Sequence, residues 1–538
     1  KNGAVKFDRE ELHFDIDEKG DAIIGASVAV DGTSLKTITD VEGNFTLSNV
    51  RRGAMMSVSY IGYERTFVKA AKDVSIELKE DDHQLKEVVV VGYGRMQRKD
   101  ITSSITTVNS DDLNKGVFTT PAEMLQGKVP GLTVTTSSNP NEPNSSVILR
   151  GASTLREGDA MQPYYIVDGI PGVDLSLVAA DDIESIDVLR DATATAIYGS
   201  KAANGVVVVE TKKPEAGKLR FTYNGSYNVS WADLSDYNLM NASEKLQFEK
   251  LSGYYGRLDE NGEILDDLNR ATYYNRYKNV VAGLDSYWMS EPLRTGFSHD
   301  HSFNAEGGDS AFRYGLTMRY RDNGGVMKNS DRQNIDGSVD LSYRIDKFNF
   351  SNQTNIYYTK TDNNVVSFSQ FAQANPYYSK RDADGEVYKV LESYETINGT
   401  QYVYNPLWNY QQKSFNRGDE LQFNNNFNVE YRPIPALRLN ARLGFTTSRG
   451  KSEVFRSPYD TSFAATEEVN RGNYTRSDNN NTSWDGSFIA SYGGMTGRHT
   501  YNLVGGAQLS ERNATSASNT TRGYISDKFW NPNFSNGY

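Results

Sequence analysis

Residues 218–231 read KLRFTYNGSYNVSW, and no other stretch restricts the fold of this chain as strongly. Leu219, Phe221, Tyr223, Gly225, Tyr227, Val229 and Trp231 share one face of an extended segment, and Lys218, Arg220, Thr222, Asn224, Ser226, Asn228 and Ser230 share the other, because successive side chains of a strand point to opposite sides. A strand of a soluble sandwich typically has about five or six residues. Fourteen alternating residues fit instead a tilted strand that crosses a bilayer and continues past it. The alternation returns in FRYGLTMRYR, IDGSVDLSYRI, FNFSNQTNIYY, LQFNNNFNVEY and LRLNARLGF, and less regularly in WDGSFIASY and YNLVGGAQL. It predicts apolar and aromatic residues facing lipid, with Asn, Ser, Arg and Thr facing a lumen.

Two long polar insertions, 232–298 and 360–418, interrupt this pattern; in a barrel they belong with the long loops of the outer face. The second carries Tyr377, Tyr378, Tyr404, Trp408 and Tyr410 within NPYYSK and YNPLWNYQ. Such rings can stack on sugar faces while neighbouring Asn and Gln bond hydroxyls, or they can anchor and pack a loop. Aromatic residues are abundant throughout (34 Tyr, 23 Phe, 5 Trp), yet the mean hydropathy is −0.62. No apolar run approaches the roughly 18 residues of a membrane helix, so a helical membrane protein is excluded. A β-barrel is not, since half of each strand is polar. The absence of cysteine removes disulfides, thiolate metal sites and Cys nucleophiles. A net charge of −12 argues against a nucleic-acid partner. The chain opens on Lys1 with no basic-then-apolar leader, which implies a signal peptide already removed or never included.

Upstream of the alternating region, IIGASVAV, TFVKA and VSIEL, separated by the turn signals DGT and EGN, predict a small β-sandwich over 17–79. His13 and His83 show no ligand-like spacing, so no metal site is expected. Next, the polar KEDDHQLK precedes EVVVVGYG at 87–94. Four consecutive valines suit either a strand buried on both faces or an extended segment kept available for a partner's sheet edge. A second run, Val206 to Val209, follows Asn204 and Gly205, the dipeptide of a tight turn. Ahead of it, the small residues of DATATAIYGS suit a short close-packed helix that Gly199 can end.

DEKGDAIIGASVAVDGT, TITDVEGNFTL and VSYIGYE resemble the carboxypeptidase-regulatory-like domain that precedes many Bacteroidetes outer-membrane transporters. EVVVVGYG, TPAEMLQGKVPGLTV, VILRGASTL, YYIVDGIPG and IDVLRDATATAIYGSKAANGVVVVETKK, in that order, resemble the plug of the SusC/RagA family of TonB-dependent transporters. The segment from HSFNAEGG to DLSYRI resembles that family's early barrel hairpins.

The resemblance implies a mainly β protein with an N-terminal β-sandwich, an α/β plug domain and a transmembrane antiparallel β-barrel, only part of which is present. The expected division is an unassigned segment 1–16, the sandwich 17–79, a linker with the TonB box 80–94, the plug 95–214 and the first part of the barrel 215–538. About nine barrel-like strands can be counted, whereas large plugged barrels have about 22, so a longer protein is expected.

By the same resemblance, Glu87, Val88, Val89, Val90, Val91, Gly92, Tyr93 and Gly94 form the TonB box. Arg150, Gly151, Asp168, Gly169, Tyr198, Gly199, Asn204 and Gly205 are structural positions of the plug, with Arg150 and Asp168 able to pair with the wall or to remain solvated. The implied activity is TonB-dependent import across the outer membrane of oligosaccharides, or secondarily peptides. Implied partners are TonB with its ExbB and ExbD complex, a SusD-like surface lipoprotein and outer-membrane lipid. No covalent chemistry, cofactor, metal or nucleic acid is expected. A TonB-dependent siderophore or metal-chelate receptor shares plug and barrel but usually lacks the sandwich and the KAANGVVVVETKK ending. A passive porin needs neither plug nor TonB box, and a soluble surface carbohydrate-binding protein would be extracted without detergent.

Overall fold

The computed structural model describes the chain from residue 201 to residue 537, apart from 364, 435, 497 and 498, and before that in segments between residues 26 and 190. Residues 1–25 and 191–200 fall outside the described residues. The N-terminal unit is an antiparallel sheet of β1 (Ser27–Val30), β2 (Lys36–Ile38), β3 (Met55–Ser59) and β4 (Thr66–Lys69), in the order β2-β1-β3-β4. Val28 and Val30 alternate inward and meet Met56, Val58, Phe45 and Ile76 in one apolar core.

The valine runs part company here. Val88–Val91 forms β5, which pairs antiparallel with β6 (Gly94–Gln97). Among the described residues these two strands form a sheet of their own. The plug then follows as β7 (Ile105–Asn109), the hairpin β8 (Leu132–Thr135) and β9 (Ser146–Leu149), then β10 (Tyr164–Val167), β11 (Ile170–Pro171), β12 (Ile183–Leu189) and β13 (Val206–Thr211).

Its five-stranded sheet has the order β11-β10-β13-β12-β7, with β10 and β13 parallel. β13 is therefore central. Val207 and Val209 enter one core with Ile186, Val188 and Leu149, while Val206 and Val208 enter a second with Ile166 and Leu189. A strand covered on both faces has no reason to alternate, which is why four valines stand together. Gly205, at φ +94°, starts this strand, and a Cβ there would meet Leu149 Cδ2 at 2.3 Å.

Nine long strands follow: β14 (Gly217–Ser230), β15 (Gly296–Gly308), β16 (Phe312–Gly324), β17 (Asp331–Ile345), β18 (Phe348–Asn363), then, beyond a small loop hairpin of β19 (Val390–Thr396) and β20 (Gly399–Tyr404), β21 (Phe415–Ile434), β22 (Leu437–Arg456), β23 (Asn473–Thr496) and β24 (His499–Tyr524). They form an antiparallel meander, closed in this chain by β25 (Ser535–Gly537) against Arg522 and Tyr524. Short turns join the strands at one end and long loops at the other. No helix among the described residues is long and apolar enough to cross a membrane.

The sheet's burial is inverted relative to a soluble fold. Phe221 and Tyr227 are 62% and 66% exposed, while Asn424, Asn334 and Asn426 are buried. Apolar side chains thus point outward and amides inward, the polarity of a strand between lipid and lumen.

Two boundaries differ from the sequence expectation. The first insertion ends at 295, because Gly296–Ser298 pair with Asn228–Ser230. The second runs 364–414, since Thr361–Asn363 pair with Asn416–Gly418.

Replacing Tyr223 with Arg is expected to lower the folded fraction in membranes, whereas Asn224→Arg is expected to assemble normally. Tyr223 is an exposed outward residue in the middle of β14, and a lipid-facing Arg at the midplane costs roughly 2–4 kcal/mol. Equal heat-modifiable fractions of the two variants would show that the faces are assigned the wrong way.

Candidate functional site

The plug meets the wall at the turn between β10 and β11. Asp168 and Gly169 both take positive φ there, +48° and +78°. The Asp168 carboxylate accepts hydrogen bonds from Thr211 N at 3.1 Å and Thr211 Oγ1 at 2.6 Å, and it pairs with Lys213 Nζ at 2.8 Å. These contacts fasten the turn to the end of β13, where the chain leaves the plug for the barrel. They do not reach the wall.

At this turn, among the described residues, contact with the wall is made by backbone and by absence of a side chain. Asn426 Nδ2 donates to the Asp168 carbonyl at 3.4 Å, and a Cβ on Gly169 would lie 1.6 Å from Arg442 Nη1. Any larger residue at 169 must displace that guanidinium and adopt a backbone that side chains disfavour. Asn141 Nδ2 adds a second link, to the Asp362 carbonyl at 2.5 Å.

Arg150 is exposed, at φ +62°, with its N–H donating to Gly131 O at 2.8 Å; Gly151 follows it at φ +85°. Asn204 Nδ2 donates to Gln162 O at 3.3 Å across the plug. Tyr198 and Gly199 lie outside the described residues, as do Glu87, Gly92 and Tyr93. Asn426 and Arg442 were not singled out in the sequence. Their only signal was an inward position on an alternating strand, which does not say what they face.

The two insertions fold together above the sheet. The first supplies α1 (Ala242–Leu251) and α2 (Asp267–Val281), the second α3 (Phe368–Ala372) and α4 (Pro406–Gln411). α1 starts where NASE allows a capping box, with Asn241 Oδ1 accepting from Glu244 N and Glu244 Oε2 accepting from Asn241 N. Leu246, Tyr255, Ile264 and Trp288 of the first loop share a core with Phe371, Tyr377, Tyr378 and Leu407 of the second.

At its centre, buried Arg276 donates to Glu392 Oε2 through Nε at 3.0 Å and Nη2 at 2.8 Å, and to Tyr255 Oη at 2.8 Å; Glu249 lies 3.5 Å away. The rings of Tyr254, Tyr255, Tyr377 and Tyr394 surround the guanidinium at 5.4–5.7 Å. Burial pushes the hydroxyls of Tyr255, Tyr377 and Tyr378 well above the ordinary tyrosine range. Burial opposes the charge on Arg276 too, but the Glu392 hydrogen bonds and neighbouring groups more than offset it, and the guanidinium is held charged.

This places the five aromatic residues. Tyr377 and Tyr378 are interior, with Tyr377 donating to Glu249 and Tyr378 to Glu392. Trp408 Nε1 donates to Tyr459 O at 3.0 Å, Tyr410 meets Phe371 edge-on, and Tyr404 stacks on Tyr402. The first two rings have no open face for a sugar; they hold the loops together. Among the described residues no group of acidic and histidine side chains is arranged to hold a metal.

Residues 97–206 match the family model of the TonB-dependent receptor plug domain, and residues 16–90 that of the CarboxypepD_reg-like domain. The second match runs past the expected domain end at 79 and takes in Val88–Val90. TonB-dependent receptor SusC of Bacteroides thetaiotaomicron is 31% identical over 477 residues, 82% of this chain and 45% of SusC.

The chain is similar to the SusC/RagA-type TonB-dependent transporters.

TonB-dependent receptor P26 of Formosa agariphila is 24% identical over 92% of this chain and 48% of its own length. The fold matches the structure of the RagAB peptide importer in the open-open state with a TM-score of 0.65 at 23% identity, covering 84% of this chain and 52% of that one. The chain thus spans less than half the length of those two curated relatives. The plug match ends at the first valine of β13, and the meander β14–β24 is the part of the barrel wall that it faces.

Proposed function

We propose that the protein to which this chain belongs imports oligomeric nutrients across the outer membrane, glycans before peptides, with energy delivered through TonB. The observation that carries this reading is the plug seated on the polar face of the meander, where among the described residues Asn426 donates to the Asp168 carbonyl and Asn141 to the Asp362 carbonyl. Each such hydrogen bond contributes a net of about 0.5–1.5 kcal/mol, a contact that a pulled strand can break.

The pulling point in this reading is β5. Its pairing with β6 occupies one edge, and among the described residues no strand pairs with the other, so TonB, driven by ExbB and ExbD, can add a strand there. Exposed Phe248, Leu251, Leu265 and Val281 on the loop helices and their linker offer an apolar surface to a SusD-like lipoprotein acting as a lid.

The test is uptake by cells carrying the full-length protein and its lipoprotein. A labelled oligosaccharide is expected to enter, and a protonophore to halt entry without lowering surface binding. Entry that continues through the protonophore would mark a passive pore, and preferential entry of a labelled peptide would reverse the order of substrates.

A further inference from the structure

At the loop end of the lumen, β14, β15 and β16 enclose a cleft of about 530 Å³. Ser226 and Asn228 on β14, Asp300 on β15, and Arg321 and Asn323 on β16 form its polar wall. The strand register sets Ser226 opposite Asp300, and Asp300 opposite Arg321. Trp231, Tyr237 and Phe368 form its apolar rim. Tyr237 meets Phe368 edge-on at 5.9 Å, so the two outer loops share this rim.

The charges in the cleft are unevenly matched. Asp300 accepts from Arg319 Nε with both oxygens, at 2.8 and 3.0 Å, and also contacts Arg319 Nη2. Its link to Arg321 is a 3.5 Å ion pair only. Arg321 is nine-tenths buried, and its Nε finds no hydrogen-bond acceptor among the described residues.

Among the described residues no charged group accepts a hydrogen bond from Arg321 Nε, and Asp336 acts on it only through space. Asp233 at the rim accepts from its own turn at Ser235 N. On β17, Asp336 stands opposite Arg319, whereas Arg321 stands opposite the neutral Asn334, and Arg332 stands opposite Asn323. Guanidinium has five donors and binds a carboxylate in a planar fork, so a buried Arg with an unmet donor beside a cleft favours an anion over a neutral hydroxyl.

We propose that this cleft is a subsite for a carboxylate carried by the oligomeric ligand, with Arg321 as its receiver and Trp231 covering the adjoining unit. The subsite rests on the import reading in that it takes the lumen as the ligand's path. The carboxylate could come from a uronate of an acidic oligosaccharide or from an acidic peptide.

Calorimetry on the purified full-length protein in detergent tests it without TonB or an energy source, so its failure and that of the import reading are distinguishable. The probes are oligogalacturonate against its methyl ester, and a glutamate-rich peptide against its glutamine counterpart. The acidic member of one pair is expected to bind about tenfold tighter than the neutral one, and the pair that shows this identifies the source. Arg321→Gln should abolish the preference while leaving the neutral member's affinity unchanged. Arg321→Lys, which keeps the charge within the same fold, should retain part of it. Equal affinities within both pairs, or a preference that survives Arg321→Gln, would overturn the proposal.

Discussion

Val89→Pro is expected to reduce energised uptake to background while the protein stays folded in the outer membrane at its normal level. Val89 lies in the middle of β5, opposite Met96 of β6. Proline removes one backbone donor and holds φ near −65°, and a strand interior tolerates neither. Successive N–H groups of a strand point to opposite edges, so Val90→Pro strikes the other edge from Val89→Pro. One of the two substitutions breaks the hairpin and the other breaks the edge offered to TonB.

Both are therefore expected to stop transport. Val89→Ala, which keeps the N–H, should transport nearly as wild type does. The measurement is uptake of labelled oligomer in cells matched for surface level and heat-modifiability. Wild-type transport by both proline variants would show that neither edge of β5 is used.

The second large effect is structural. Arg276→Met is expected to destabilise the two-loop domain by about 3–5 kcal/mol, because removing one member of a buried ion pair leaves the others uncompensated. Glu249 and Glu392 both face Arg276 from other elements, and both are largely shielded from water. Methionine nearly preserves the volume, so the loss is one of charge pairing and of the cation–π contacts with four tyrosines. Lys245, 3.6 Å from Glu249, is too peripheral to replace the guanidinium.

Limited proteolysis reports this directly, with new cuts expected within 231–295 and 364–414 and none within the barrel strands. Adding Glu249→Gln and Glu392→Gln to Arg276→Met should restore much of the resistance. Unchanged protease resistance in Arg276→Met alone would show that the cluster contributes no net stability.

How much of this could be read from the chain follows from what each feature depends on. The alternation of β14 was visible because the direction of a strand's side chains reverses at each residue whatever lies beyond it, and lipid on one side forces that face to be apolar. The upper halves of β23 and β24 were not. Residues such as Arg476, Asp478, Asn479 and Asn480 are polar on both faces, because a strand that has left the bilayer meets water on both sides.

The two valine runs are nearly identical as sequence. One is the plug's central strand because Ile166, Ile186 and their neighbours cover it from two sides, and the other sits in a separate hairpin. Neighbours brought from forty residues away make that difference, and no local pattern contains them. Tyr377 and Tyr378 had a shape suited to a sugar face; they are interior because the first loop brings Glu249 and Arg276 to them from about a hundred residues upstream. Turn chemistry likewise marked Asp168 and Gly169, but Arg442 and Asn426 came to that turn only when the meander wrapped past the plug. Local geometry is carried by each residue's own backbone and side chain, whereas an encounter between distant segments depends on every strand register between them.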